Sequence, residues 1–236
     1  MMLRTFFAFL IVLSLGLPAA SSDFSEMPFT CPVDGKTFEA WVPVSGTITG
    51  YSLDFNKIGY YPSPWKMPVC PDSGFVMYQN DYTASEIVTI KRLVKTSEFA
   101  KVRDGGNQWL TAAFEMRQLG AKPGAIASMY LSATWAQEKD PVKYRPVAEE
   151  AHAYMSAIPD KEKGIYYLVL GELERRLGRF DAARRRFKKL PPGYAQTLKA
   201  EDWKPSDLKR YIKRQLHFIA AKNTLSQPIN PKQELP

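Results

Sequence analysis

Two turns of one design, Cys31-Pro32-Val33-Asp34-Gly35 and Cys70-Pro71-Asp72-Ser73-Gly74, hold the only two cysteines of this 236-residue chain. The shared Cys-Pro-x-x-Gly frame constrains everything near it. Between and around the turns, from Cys31 to Tyr82, the sequence reads as small β structure. Thr37-Phe38-Glu39-Ala40-Trp41-Val42-Pro43-Val44 alternates loosely and is rich in aromatic and branched residues, and Phe75-Val76-Met77-Tyr78 fits a short strand. Gly46, Gly50, Gly59, Pro62, Pro64, Pro68 and Gly74 interrupt the rest. Such a stretch, roughly fifty residues long, buries little core of its own, so a staple between the two turns is expected.

In a zinc ribbon the equivalent knuckle, Cys-Pro-x-Cys-Gly, gives two thiolates to a tetrahedral zinc. Here Asp34 and Ser73 stand where the second thiolates would be. Cys31 and Cys70 therefore have four readings. They could form a disulfide, bind zinc together with Asp34 and a fourth group, act as a redox pair, or remain free or pair between molecules. The disulfide is favoured. First-position cysteines lie near the missing metal, so their Cα atoms can come within the roughly 4.4–6.8 Å that a bond needs. Ser73 is a poor zinc ligand, and redox thiols usually share one Cys-x-x-Cys turn. No cofactor is expected.

Arg4, the apolar run Phe6–Leu17 and the small residues Pro18-Ala19-Ala20-Ser21-Ser22 have the three parts of a secretory leader. The run is shorter than the roughly 20 residues a membrane span needs. Export to the periplasm or beyond is the expected location, with cleavage within Ala20–Ser22. Net charge is +8, and from residue 160 onward 18 Lys+Arg face 9 Asp+Glu, against 14 and 15 in the remainder. For an exported chain this excess speaks against nucleic acid. It suits an acidic protein face or an anionic envelope surface.

Helix takes over after Tyr82. Thr83-x-x-Glu86 is a capping box leading into the stripe Ile87, Ile90, Leu93, Val94. Asp104-Gly105-Gly106-Asn107 stops that region. Helices are then expected near 107–119, 124–138, 142–157, 163–177, 180–189 and 206–222. Two helical pairs superpose at an offset of 58 residues. Tyr167, Leu170, Gly171, Gly178, Ala183 and Phe187 are spaced as in a tetratricopeptide repeat, and Trp109, Ala112, Ala113, Gly120, Ala125 and Met129 fall at the same intervals. Glu149-x-x-His152 puts a carboxylate and an imidazole on one helix face. A metal bundle needs a second such pair, so an ion pair is the expected role. Nucleophile elbows, phosphate loops and metalloprotease helices are missing from the sequence.

The two knuckles, Ser52-Leu53-Asp54-Phe55 between them, Ile126-Ala127-Ser128-Met129-Tyr130-Leu131 and Leu170-Gly171-Glu172-Leu173-Glu174-Arg175-Arg176-Leu177-Gly178 together carry a resemblance. The chain resembles a bacterial family of unknown function with an N-terminal Cys-Pro-x-Cys-Gly pair ahead of tetratricopeptide-like helices. That resemblance implies a zinc-ribbon-like head and a helical body, and no established activity. It departs at the zinc site, where two of four thiols remain, and in its leader.

The expected protein is α+β, with a leader at 1–21, a degenerate zinc-ribbon-like β region at 22–83, a tetratricopeptide-like domain at 84–225 and a flexible tail at 226–236. Its expected role is binding a protein or peptide, one with acidic groups, through a concave helical surface. Peripheral attachment to an anionic envelope surface and an enzyme site between head and body are the alternatives. On the strong repeat, Leu168, Glu172, Arg175 and Arg176 lie off the packing stripe and are the candidate ligand contacts, the alternative being that the two arginines solvate the helix or pair with Glu172. Two adjacent arginines can pair bidentately with carboxylates.

Overall fold

A computed structural model describes residues 22–60, 62–199 and 204–229. The expected leader, its cleavage site and the expected tail from 230 onward lie outside the described residues.

Three antiparallel strands, β1 (Ser22–Thr30), β2 (Thr37–Tyr51) and β3 (Lys57–Tyr60), form a sheet in that order. Residues 23–30, read from sequence as a lead-in, are most of β1. Their pattern is weak locally, and it is the long β2 that recruits them, Phe29 opposite Phe38 and Met27 opposite Ala40. The first Cys-Pro-x-x-Gly turn joins β1 to β2. Cys31 N–H donates to Lys36 O at 2.9 Å and Gly35 N–H to Cys31 O at 2.8 Å. The second turn repeats this, Cys70 to Phe75 O and Gly74 to Cys70 O, both at 2.9 Å. Gly35 and Gly74 close the two turns at φ +76 and +74, where a side chain would be strained. Cys31 and Cys70 are disulfide-bonded with Cα atoms 5.6 Å apart. The bond fits an oxidising, exported compartment. The short strand expected at Phe75–Tyr78 does not form. Val76 makes a single bridge to Val69, while Phe75 and Met77 pack with the cystine and Ile90.

Nine α-helices follow among the described residues: α1 (Ala84–Leu93), α2 (Ser97–Asp104), α3 (Gln108–Gln118), α4 (Pro123–Ala136), α5 (Pro141–Ala157), α6 (Tyr166–Arg176), α7 (Phe180–Lys188), α8 (Tyr194–Lys199) and α9 (Pro205–Ala220). The Thr83–Glu86 capping box forms as read. The region after it splits in two, because Thr96 accepts from Phe99 N–H and starts a fresh helix. Helix α3 packs on α4, and α6 on α7. Gly120 and Gly178 end the first helix of each pair at φ +72 and +80. A Cβ on Gly171 would fall 2.4 Å from Phe187 Cζ, so the glycine lets the ring lie against α6. The 58-residue correspondence fades in the second helix of the first pair. Ala125 is exposed there, whereas its counterpart Ala183 is buried.

Packing crosses the expected boundary at residue 83. Leu53, in the turn after β2, belongs to the core made by α6, α7, α8 and α9. Gln227–Ile229, expected to be loose, run against that turn. Leu53 N–H donates to Gln227 O and Ile229 N–H to Tyr51 O, each at 2.7 Å. Among the described residues no helix is long and apolar enough to cross a membrane.

Candidate binding cleft

The four expected ligand contacts are all interior. Leu168, Glu172 and Arg175 are 0% exposed and Arg176 7%. This corrects the groove drawn from the repeat spacing, for a physical reason: Asp54 and the C-terminal segment cover the face of α6 that an open array would present. Leu168 fills the core beside Leu53 and Tyr211. Glu172 accepts two bonds from Arg175, at 2.8 Å from Nε and 2.5 Å from Nη2. Arg175 also donates to the carbonyls of Asn223 and Leu225, pinning the segment after α9 across α6. Burial pushes the Glu172 carboxyl up, against the pull of Arg175.

Arg176 turns the other way. Its Nη1 donates to Asp54 Oδ2 at 2.9 Å, and its guanidinium lies 4.1 Å from the centre of the Tyr144 ring. Asp54 itself is fully buried and accepts from Ser52 Oγ, while Tyr211 Oη donates to Leu53 O at 2.6 Å. The tetrapeptide Ser52–Phe55 and the segment Leu170–Gly178 thus meet as two sides of one buried ion pair. A buried charge of this kind needs its partner, because desolvation costs several kcal/mol per ion.

That join shapes a cleft of about 1100 Å³. Lys57, Ile58 and Gly59 of β3 form one wall, with Asn56, Ser63 and Lys66 beside them. Trp109 of α3, Trp135 of α4, Glu138 and Lys139 after it, and Tyr144 and Arg145 of α5 form the opposite wall. Thr224, Leu225 and Ser226, on the segment that Arg175 pins, make a third side. Asn56 Nδ2 donates to Glu138 Oε2 at 3.1 Å, a polar strut between the walls. Among the described residues, five basic and one acidic line the space, with Lys66, Lys139 and Arg145 exposed. Trp135 Nε1, Tyr144 Oη and Arg176 Nε, all on lining residues, are buried without a hydrogen-bond partner among the described residues. Burial raises the Tyr144 phenol far above its ordinary range, so it stays a neutral donor.

The remaining sequence candidates have structural partners. Glu149 accepts from Arg179, and His152 Nε2 lies 3.3 Å from Glu174 Oε1. Glu174 also accepts from Arg186 at 2.6 and 3.0 Å. Burial opposes ionisation of Glu174, but these bonds hold its carboxyl below the usual value. Asp34, the third conditional zinc ligand, accepts from Lys36 N–H at 3.1 Å, and both cysteines are consumed by the disulfide. No group of three or more His, Cys, Asp or Glu among the described residues could hold a metal ion.

Sequence reasoning missed Glu115. Its Oε1 accepts from Val76 N–H at 2.9 Å, tying the segment after the second knuckle to α3, while Oε2 is buried without a partner among the described residues. Burial pushes this carboxyl well above the ordinary 4.5. The folded chain therefore keeps a proton that the unfolded chain releases, and stability falls as pH rises from 4.5 toward the folded value. Glu115→Gln preserves the Val76 bond and removes that proton. The expected result is a stability advantage of the variant over wild type that grows from pH 4.5 to pH 8 in urea denaturation. A pH-independent difference would contradict it.

Comparison of the chain with family models, with curated proteins and with solved structures finds no match.

Proposed function

We propose that this is an exported binding protein that holds an anionic ligand in the cleft between sheet and helices. Its helical body acts as a tetratricopeptide-like frame, with the α6 arginines turned inward to build the cleft rather than outward to meet the ligand. The observation that carries this reading is the lining itself. Among the described residues, five cations and one carboxylate line an aromatic-walled space, and one of those cations, Arg176, is locked by Asp54 and Tyr144. A cleft lined by one sign of charge between low-dielectric walls concentrates ligands of the other sign. No catalytic role is assigned.

Trp109 and Trp135 report on the cleft directly. Titration with hexaglutamate at low salt is expected to give saturable quenching of tryptophan fluorescence. Lys139→Glu with Arg145→Glu, at two exposed positions, should weaken binding about tenfold or more. Equal affinity in the charge-reversed variant would place the ligand elsewhere. Attachment to an anionic envelope surface is a second reading, favoured by Arg185, Lys188 and Lys189, which lie exposed on and just after α7. Salt-sensitive sedimentation with anionic vesicles, unaffected by the cleft substitutions, would select it.

A further inference from the structure

A second groove, of about 330 Å³, is lined by the sheet and by the segments on either side of the second knuckle. Met27 and Phe29 of β1 line it together with Val42 of β2. Met27 and Phe29 are two residues apart, so they share one face of the strand. Met67 lines it from the segment before the second knuckle and Met77 from the segment after it. Those two segments are joined, since Met77 N–H donates to Pro68 O at 2.9 Å and Val69 bridges Val76. The Cys31–Cys70 bond then ties the end of β1 to the pair, and Met77 belongs to the cluster around it. The three methionines between residues 22 and 83, from three separate stretches, therefore all border one space.

Methionine commonly fills gaps inside a core. Here Met27 is 43% exposed, and all three side chains border an opening. Among the described residues the lining has no carboxylate, imidazole or thiolate, and its one charge is Lys66. Hard and borderline divalent cations find no anionic ligand there. Neutral thioethers suit a soft monovalent ion, Cu(I) above all. Thiols are the other soft donors, and the disulfide has consumed both. A thioether cannot pair in that way, so it stays available as a ligand in an oxidising compartment. We infer that Met27, Met67 and Met77 bind one Cu(I) ion through their sulfurs. The disulfide brings the contributing segments together before the ion arrives, which lowers the cost of ordering them. Trp65 lines the same groove, and an indole ring attracts a bound cation.

The test uses the full chain with its disulfide closed. Ag(I) has the same charge and softness and needs no reductant, so it spares the bond. Cu(I) is supplied anaerobically as its acetonitrile complex. Native mass spectrometry is expected to show one ion per chain. In NMR of the methionine methyl groups, Met27, Met67 and Met77 should shift while Met116, Met129 and Met155 stay in place. Zn(II) should move none of them. Met27→Leu with Met67→Leu keeps apolar volume close to that of wild type, so urea unfolding should be little changed. Its affinity for Cu(I), read by competition with bicinchoninate, should fall by more than the roughly 10–100-fold that losing an outer-shell partner costs. Unchanged affinity in that variant, no binding of either ion by wild type, or equal methyl shifts with Zn(II) would each overturn the assignment. Any of these would leave the anionic cleft untouched, since among the described residues no methionine lines it.

Discussion

Replacing Cys70 with serine is expected to lower stability by about 2–5 kcal/mol, the usual cost of losing a native disulfide from a small unit. The bond spans 39 residues of sequence and sits at the centre of a small cluster: Phe75, Met77 and Ile90. Val33 of the first knuckle and Phe29 and Phe38 beside it pack against the same cluster. Lys36 and Asp72 pair across the two knuckles at 2.5 Å but stand in solvent, where such pairs contribute little. The loss should reach α1 through Ile90 and α3 through the bond from Val76 N–H to Glu115. It should be weaker in the two larger cores built by α3 to α9, which contain neither cysteine. Urea unfolding followed by circular dichroism should therefore show an early loss of structure near the knuckles, with the main helical transition retained. An unchanged first transition would mean that the cystine is not the staple of this region.

The parts of the fold visible in sequence were those governed by local chemistry. The capping box at Thr83 and Glu86 and the stop at Gly178 depend on residues within one turn. The matched knuckles were legible for a related reason, since each is closed by bonds among six consecutive residues. β1 was hidden because Pro28 breaks its alternation and its stability comes from pairing with β2. Helix α8, Tyr194–Lys199, is too short for periodicity to register, and Tyr194 and Leu198 owe their burial to the core they join. The Phe75–Tyr78 segment had strand composition, but packing against the cystine and α1 outweighed that preference.

The site was half legible. Helical spacing set Leu168, Glu172, Arg175 and Arg176 apart from the packing stripe, but all four are buried and Leu168 joins a core. It left open what covers the far face of α6. The cover comes from Asp54, 122 residues away in sequence from Arg176, and from Asn223 and Leu225, about 50 residues beyond Arg175. One clue was present: Ser52-Leu53-Asp54-Phe55 carries an acid inside an otherwise apolar turn. Paired with two arginines in a segment rich in leucine, it could have suggested a buried ion pair. The cleft walls, drawn from five separate stretches, left no local signature.

Arg175 and Arg176 hold the protein together through Glu172, Asp54 and the segment after α9, which leaves the proposed ligand to the cleft beside them. Charge reversal at both positions tests this most directly. Removing one partner of a buried ion pair costs about 3–5 kcal/mol, and reversal here would set Glu against Glu172 and against Asp54 in places without water. The summed penalty reaches the whole stability of an ordinary domain, about 5–15 kcal/mol. For Arg175→Glu with Arg176→Glu the account predicts no cooperative urea transition and release of the C-terminal segment to protease. Lys139→Glu with Arg145→Glu, measured alongside, should unfold like wild type. A double arginine variant that unfolds cooperatively at the wild-type urea midpoint would contradict the account and return the two arginines to the role of surface ligand contacts.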